Sequence, residues 1–379
     1  MGDLRARIDA VAARAGLAGL GVASVEPFTE TETALRERRR TGMSARLGFT
    51  FRDPARATDI RRSFPWAERL VVASYPYLPA AGSPGPGRPG QGRIARFAVD
   101  DFYVPLRRAL ASVADILRAA GHRAEVLVDD SRLVDRAAAV RAGVGWWGKN
   151  TMVLAPGEGP WLLLGSVVTD ALLEPDEPMR RDCGRCEACL PACPTGALVA
   201  PGVLDARRCL AYWLQAPGAI PRDLREPMGD RFYGCDDCLE ACPPGRRSLV
   251  TAAEGRGRVD LGWVLAATDE ELLETFARFY IPRHDPNILR RNALVAVGNV
   301  GDRELVSALI RYLGHPDPIL RSHAVWALGR LDPEALEVHA EGLAADPAPE
   351  VAEELRVWRS GSPVATPEGF SSPPTPTGS

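Results

Sequence analysis

Eight cysteines stand between Cys183 and Cys242, and the 379-residue chain has no others. The stretch that holds them is rich in proline and short polar pieces. It can supply little apolar core and must be held by what its thiolates bind. Cys183-x-x-Cys186-x-x-Cys189-x-x-x-Cys193-Pro194 is the bacterial ferredoxin run, in which three cysteines hold one [4Fe-4S] cube and the fourth reaches a second. A second run, Cys235-x-x-Cys238-x-x-x-Cys242-Pro243, is one cysteine short, and Cys209 is the remaining thiol able to complete it. The count then closes, with Cys183, Cys186, Cys189 and Cys242 on one cluster and Cys193, Cys209, Cys235 and Cys238 on the other. Two four-thiolate zinc sites are the alternative, but zinc leaves the stepped run ending in Cys-Pro, present twice, without a reason. Two clusters joined in this way form a wire for low-potential electrons, whose acceptor must lie outside the wire.

The rest of the chain is ordinary for a soluble protein with more than one core: 46% hydrophobic and 25% charged residues, with 46 basic against 49 acidic side chains. The near balance excludes a chain that binds nucleic acid through bulk charge. The first residues carry charges throughout and no apolar run is long enough to span a bilayer, so a cytoplasmic protein without a membrane partner is expected. Every basic residue other than Lys149 is an arginine.

Apolar periodicity divides the chain into four parts. Residues 1–178 read as an α/β domain, with strands at GLGVASVEP, RLVVASYPY, AEVLVDD and WLLLGSVVTD between helical segments. A Pro/Gly-dense stretch over 79–92 reads as a loop within it. Residues 179–250 form the ferredoxin-type module. In 251–358 a helical connector leads into a repeat, since DPNILRRNALVAVGNV realigns with DPILRSHAVWALGRL at a spacing of 31 residues, Ile288 to Ile319, and a weaker copy begins near DPAPEVAEELRVW. That period signals stacked helix pairs of HEAT type. Residues 359–379 read as a disordered tail.

Further motifs lie upstream of the cysteines: the Val128-Asp129 turn after a strand, Arg136 about two helix turns on, the loop Gly145-Trp146-x-Gly148-Lys149-Asn150-Thr151, and the element Arg52-Asp53-Pro54. With the cysteine set and the repeats in this order, the chain resembles the epoxyqueuosine reductases, cobalamin-dependent iron-sulfur enzymes of tRNA modification, over about residues 1 to 330. The resemblance implies an α+β protein with a nitroreductase-like, cobalamin-binding amino-terminal domain. The cofactors it implies are cobalamin and two [4Fe-4S] clusters, fed by an external low-potential electron donor. It further implies reduction of the epoxide of epoxyqueuosine, at the wobble position of a tRNA anticodon stem-loop, to the alkene of queuosine by a monomeric enzyme.

On this reading Asp129 is the proton donor, since a leaving epoxide oxygen needs a proton and burial against Val126-Leu127-Val128 would raise the carboxyl pKa. The alternative is a helix cap, for which Asp130 is the better placed. Arg52, Arg136, Gly148, Lys149, Asn150 and Thr151 are the expected cofactor contacts, and a loop-stabilising role is the alternative for Lys149 and Asn150. The sequence departs from the family pattern at Phe97, Tyr103, Arg132 and Asp135, which leaves open another corrinoid-dependent reduction. A ferredoxin-like carrier with a protein-binding repeat is the other reading, though a carrier has no need of a whole domain ahead of the clusters.

Three features are set aside. Gly85-x-Gly87-x-x-Gly90 is crowded by proline where a helix would have to begin. Glu337-x-His339-x-x-Gly342 lies in an acidic helical repeat, and His122 has no metal partner nearby in sequence. For RNA, the first repeats are the expected contact: residues 283–330 carry seven arginines against four acids. Residues 35–62, with nine arginines against three acids, read by default as a solvated face.

Overall fold

The computed structural model describes residues 2–78, 83–84, 87–250, 254–255 and 257–361. The expected tail beyond 361 and residues 79–82 and 85–86 of the 79–92 loop, Gly85 among them, lie outside the described residues.

The amino-terminal region begins with α1 (Gly2–Arg14), β1 (Gly19–Ser24), α2 (Thr29–Arg40), α3 (Phe49–Arg52) and β2 (Arg69–Pro76). After β3 (Gln91–Ile94) it continues with α4 (Tyr103–Ala119), β4 (Ala124–Leu127), α5 (Asp135–Arg141) and β5 (Leu162–Thr169). Four of these strands form one antiparallel sheet in the order β1-β2-β5-β4. Both faces are covered, which is why the strands read as nearly continuous apolar runs. Val71 and Ala73 face the side where Ile8 of α1 and Leu106, Leu110 and Val113 of α4 pack, while Leu70 and Val72 face Ala137 and Ala138 of α5. Gly21 in β1 is required by this second layer, since a Cβ there would sit 1.9 Å from the Ala142 carbonyl oxygen.

The strand β3 does not join that sheet. It pairs in parallel with β6 (Arg231–Tyr233) and antiparallel with β7 (Arg258–Asp260), so residues 91–94 are built into the cysteine-rich module and the connector. The boundary drawn at 178 from sequence therefore does not separate two independent bodies. The two parts also share buried charge: Arg96 lies 3.1 Å from Asp236 and 2.6 Å from Glu240, with its guanidinium over Trp161.

The repeats begin with α6 (Asn287–Val300), α7 (Val306–Tyr312), α8 (Pro318–Leu331), α9 (Pro333–Ala344) and α10 (Pro349–Ser360). The repeated Asp-Pro has a mechanical reason. Asp317 caps α8 by accepting from the Ile319 N–H, and Pro318 occupies the first turn where no donor is needed. Helices α6 and α8 approach closely because Gly298 faces Ala327, whose Cα would lie 2.9 Å from an added Cβ.

Polar side chains of α6 and α8 hold the largely irregular stretch 213–221 of the cysteine module and the Phe232 carbonyl of β6. Arg291, 1% exposed, donates to the carbonyls of Trp213, Ala216 and Gly218, and Asn292 donates to those of Leu214 and Phe232. The buried His323 accepts from the Ile220 N–H at 3.2 Å. A segment without regular structure cannot pair its own backbone, and the repeats supply the partners. Burial, with Arg225 nearby, pushes the Arg291 guanidinium down to about 9, and its three carbonyl partners compensate that cost. Replacing Arg291 with leucine strands those carbonyls, so a loss of about 3 kcal/mol is expected in urea denaturation of the holo-protein. An unchanged urea midpoint would refute the clamp.

Candidate functional site

The eight cysteines are all free thiols and sort into two groups in space. Cys189 feels Cys242, Cys183 and Cys186, whereas Cys238 feels Cys235, Cys209 and Cys193. Cys242 has thus left its own run for the first group, and Cys193 has left its run for the second. Burial, with these like neighbours, pushes the Cys189 thiol up to about 11 and raises Cys209, Cys235, Cys238 and Cys242. Thiols set this way are costly to ionise unless cationic iron sits among them, which fits cluster ligation. A second sign of fit lies beside the first group. The indole Nε1 of Trp146 is buried without a hydrogen-bond partner, and Trp146 belongs to a small apolar cluster with Cys242, Leu154, Met179 and Cys183. A cluster sulfur would be an acceptor for that donor.

Next to the second group lies a recess in the amino-terminal domain. Tyr103 and Arg107 come from the first turns of α4, with the Arg107 guanidinium 5.6 Å from the Tyr103 ring centre. Asp129 follows β4, and Asp135 and Arg136 begin α5. Asp129 and Arg136 are open to solvent, yet desolvation by the surrounding protein is the largest influence on the ionisation of each. Arg136 senses Asp135, Tyr103, Cys238 and Asp129, so the recess adjoins a cysteine of the second group. Burial raises the Asp129 carboxyl above its usual range, with Asp130 adding to the shift and Arg107 and Arg136 opposing it. Asp135 is driven well above that range by burial and by Asp129, and its Oδ1 is buried with no partner. Tyr103 is raised by burial and by both carboxyls.

Local geometry sets Asp129 off from the strand before it. Its φ of +52° is left-handed, a conformation that aspartate tolerates better than most residues, and it breaks the strand direction abruptly. It is not a cap. Helix α5 starts from Val134 with no side-chain cap, and Asp130 instead accepts from the Arg132 N–H and grips its guanidinium at 2.6 Å. That ion pair, with Arg132 lying 4.9 Å over the Phe64 ring, accounts for the arginine at this position.

The glycine-rich loop is tied to the cysteine module by its own polar side chains. Both ends of the Asn150 amide are engaged, Nδ2 donating to the Cys238 carbonyl at 3.3 Å and Oδ1 accepting from the Met152 N–H. Lys149 pairs with Glu187 of the first cysteine run at 3.2 Å. Gly148 is required because a Cβ would fall 2.5 Å from the Asn150 Oδ1. Thr151 has φ +68°, and its carbonyl accepts from Arg136 at 3.4 Å, so it stands at the recess through its backbone. Arg52 lies on the exposed α3, where its carbonyl accepts from Arg39 at 3.4 Å; it belongs to an outer surface. Its neighbour Asp53 caps the following short helix. Sequence reasoning missed Tyr103 and Asp135 as recess residues, although both stood out as departures from the family pattern. His122 lies 3.3 Å from Asp170, a structural pairing.

Among the described residues no helix is long and apolar enough to cross a membrane. Residues 182–245 match the 4Fe-4S double cluster binding domain, and residues 280–357 match HEAT repeats. The epoxyqueuosine reductase of Vibrio cholerae is 31% identical over 328 residues, 83% of this chain and 88% of that protein. The Xanthomonas campestris epoxyqueuosine reductase is 33% identical over 344 residues, 86% of this chain and 96% of that one. Among solved structures, a selenomethionine-labelled epoxyqueuosine reductase superposes with a TM-score of 0.86 at 28% identity, covering 94% of this chain and 98% of that chain. An epoxyqueuosine reductase solved with a tRNA-Tyr epoxyqueuosine-modified tRNA stem loop gives 0.85 at 28% identity and the same coverage. A third, from Bacillus subtilis, was captured with an aspartate catalytic loop swung out of the active site and gives 0.84 at 27% identity.

The two-group arrangement has a direct consequence for metal content. Anaerobically reconstituted protein should carry about eight irons per chain, and Cys209→Ala about four. Iron analysis that finds the variant still fully loaded would remove Cys209 from the ligand set.

Proposed function

The chain belongs to the epoxyqueuosine reductases, and from that membership we propose how its residues carry out the reaction. It is an oxidoreductase of tRNA modification, converting the epoxide of epoxyqueuosine to the alkene of queuosine. In net terms the epoxide oxygen leaves as water, and the reaction consumes two electrons and two protons. The double-cluster module supplies the electron relay. When bound, cobalamin would supply a low-potential metal centre able to engage an epoxide carbon; the clusters supply electrons singly.

The recess suits a corrin. Its wall offers an orphaned carboxyl oxygen at Asp135, a phenol at Tyr103 and a guanidinium at Arg136, complementary to the amides that edge a corrin ring, and it adjoins Cys238. Arg136, Asp135, Tyr103 and the Thr151 carbonyl are the residues that would hold cobalamin. Asn150, Lys149 and Gly148 keep the loop in place against the cluster module.

Asp129 is the proton donor. An oxygen leaving a saturated carbon departs poorly as an anion, so a neutral carboxyl must stand beside it. Burial keeps the Asp129 proton on to higher pH than an ordinary aspartate, and burial beside Asp129 raises the Asp135 carboxyl as well. Arg107 and Arg136 limit the upward shift, so the carboxyl can still release its proton. The second proton comes from solvent. An electron donor outside the chain feeds the relay, and the enzyme works as a monomer. The single observation that carries this reading is the left-handed turn that sets a desolvated Asp129 in a recess adjoining the second cysteine group.

Asp129→Asn should preserve the turn, since asparagine also tolerates a positive φ, and should retain iron and cobalamin while losing at least a hundredfold in turnover. In the wild type, turnover with a chemical reductant should fall as pH rises through the raised Asp129 pKa, because only the protonated form donates. Nucleoside analysis of epoxyqueuosine-containing tRNA after single-turnover incubation measures both. Full activity of Asp129→Asn would reject the assignment.

A further inference from the structure

Most arginines of the repeats are not available to phosphate. Arg291 is buried on carbonyls, Arg290 pairs with Asp269 and Arg303 with Asp332, and Arg321 lies 2.7 Å from Asp346. Arg330 donates to the Gly298 carbonyl and lies near Glu226. Much of the arginine excess in 283–330 is thus met by carbonyls and carboxylates, while Arg283 and Arg311 meet no carboxylate at ion-pair distance among the described residues.

A second surface also combines arginines free of carboxylates with an exposed aromatic ring. Within residues 36–62 several arginines are neutralised: Arg36 by Glu32, Arg40 by Glu37, Arg61 by Glu68 and Arg62 by Asp59. Arg39, Arg46 and Arg52 are exposed and meet no carboxylate at ion-pair distance among the described residues. Between them stand two exposed apolar side chains, Leu47 (42%) and Phe49 (47%), on the turn leading into α3 and at its start. Burying arginine charge and an aromatic ring together in one partner suits a strand of unpaired nucleotides, whose phosphates take the guanidinium groups and whose bases stack on the ring.

A relay of hydrogen bonds links this surface to the recess. Arg38 donates to the Gly202 carbonyl at 3.2 Å, the Gly202 N–H donates to the Lys149 carbonyl at 2.8 Å, and two residues further on the Thr151 carbonyl accepts from Arg136. On the other side Arg56 lies close enough to Asp130 to lower its pKa, next to Asp129.

Resting on the reading of the substrate as tRNA, we propose that Arg39, Arg46, Phe49 and Arg52 form the seat for the unpaired anticodon-loop nucleotides that flank the modified base. Phe49 stacks on a base while the three guanidinium groups bind the loop backbone, and the target base is left free to enter the recess. An acidic electron-transfer protein would also use the arginines, but it has no need of an exposed ring among them.

The test is titration of the reconstituted holo-protein with a fluorescein-labelled tyrosine-tRNA anticodon stem-loop across a salt series. Phe49→Ala should weaken binding at least fivefold and Phe49→Tyr should leave it near wild type. Arg39→Gln with Arg52→Gln should flatten the slope of log affinity against log salt by about 1.4. Iron and cobalamin content should be unchanged in all of them. Wild-type affinity and slope in these variants would overturn the proposal while leaving the tRNA reading intact. A wild-type protein that binds no stem-loop would overturn that reading and the proposal with it. Variants that bind RNA normally but accept electrons more slowly from an acidic donor protein would reassign the surface to the donor and overturn the proposal.

Discussion

Because the two cysteine runs exchange one thiol each, Cys242 serving the first group and Cys193 the second, neither run can close its ligand set without the other. The exchange forces segments about fifty residues apart in sequence to lie side by side. A module with so little apolar core gains from this what a hydrophobic interior would otherwise provide. The surrounding structure is arranged to serve it. Strand β3 leaves its own domain to pair with the module, Asn150 holds the Cys238 carbonyl, and α6 of the repeats takes up the carbonyls of the irregular segment following Cys209. The HEAT helices are thus a clamp for backbone that has no secondary structure of its own.

The recess is governed by a different balance. Two carboxyls and a phenol are desolvated within reach of two guanidinium groups, and the mixture sets their protonation. Burial and the Asp129 charge drive Asp135 up, while Arg107 and Arg136 oppose the rise at Asp129. Burial and neighbouring charge thus act on the two carboxyls in different proportion. The glycine-rich loop's polar side chains, by contrast, are engaged by the cluster module.

Much of this was legible in the chain. The four strands of the main sheet stood where apolar runs placed them, because strands buried on both faces need nothing but apolar residues. The Asp-Pro repeat marked helix starts, because capping and a missing donor act within one turn. The spacing of Cys183, Cys186, Cys189 and Cys193 is likewise local chemistry. Less legible were the roles of single polar side chains. Lys149, Asn150 and Arg52 have the composition of ligand contacts, and their partners turned out to be Glu187, the Cys238 carbonyl and an outer basic surface. Tyr103 and Asp135 looked like losses from a pocket and stand in its wall.

The amino-acid sequence by itself determined the cluster chemistry, the order of the three modules and the family, since each is written in spacings and periodicities that operate over a few residues. Tertiary structure alone decided which charges remain available. Seven arginines in the repeats suggested an RNA surface by count, but folding spent most of them on carbonyls and carboxylates from distant segments, and left Arg39, Arg46 and Arg52 open beside Phe49. A charge acts through what it meets in space, and its position in the chain does not record that partner.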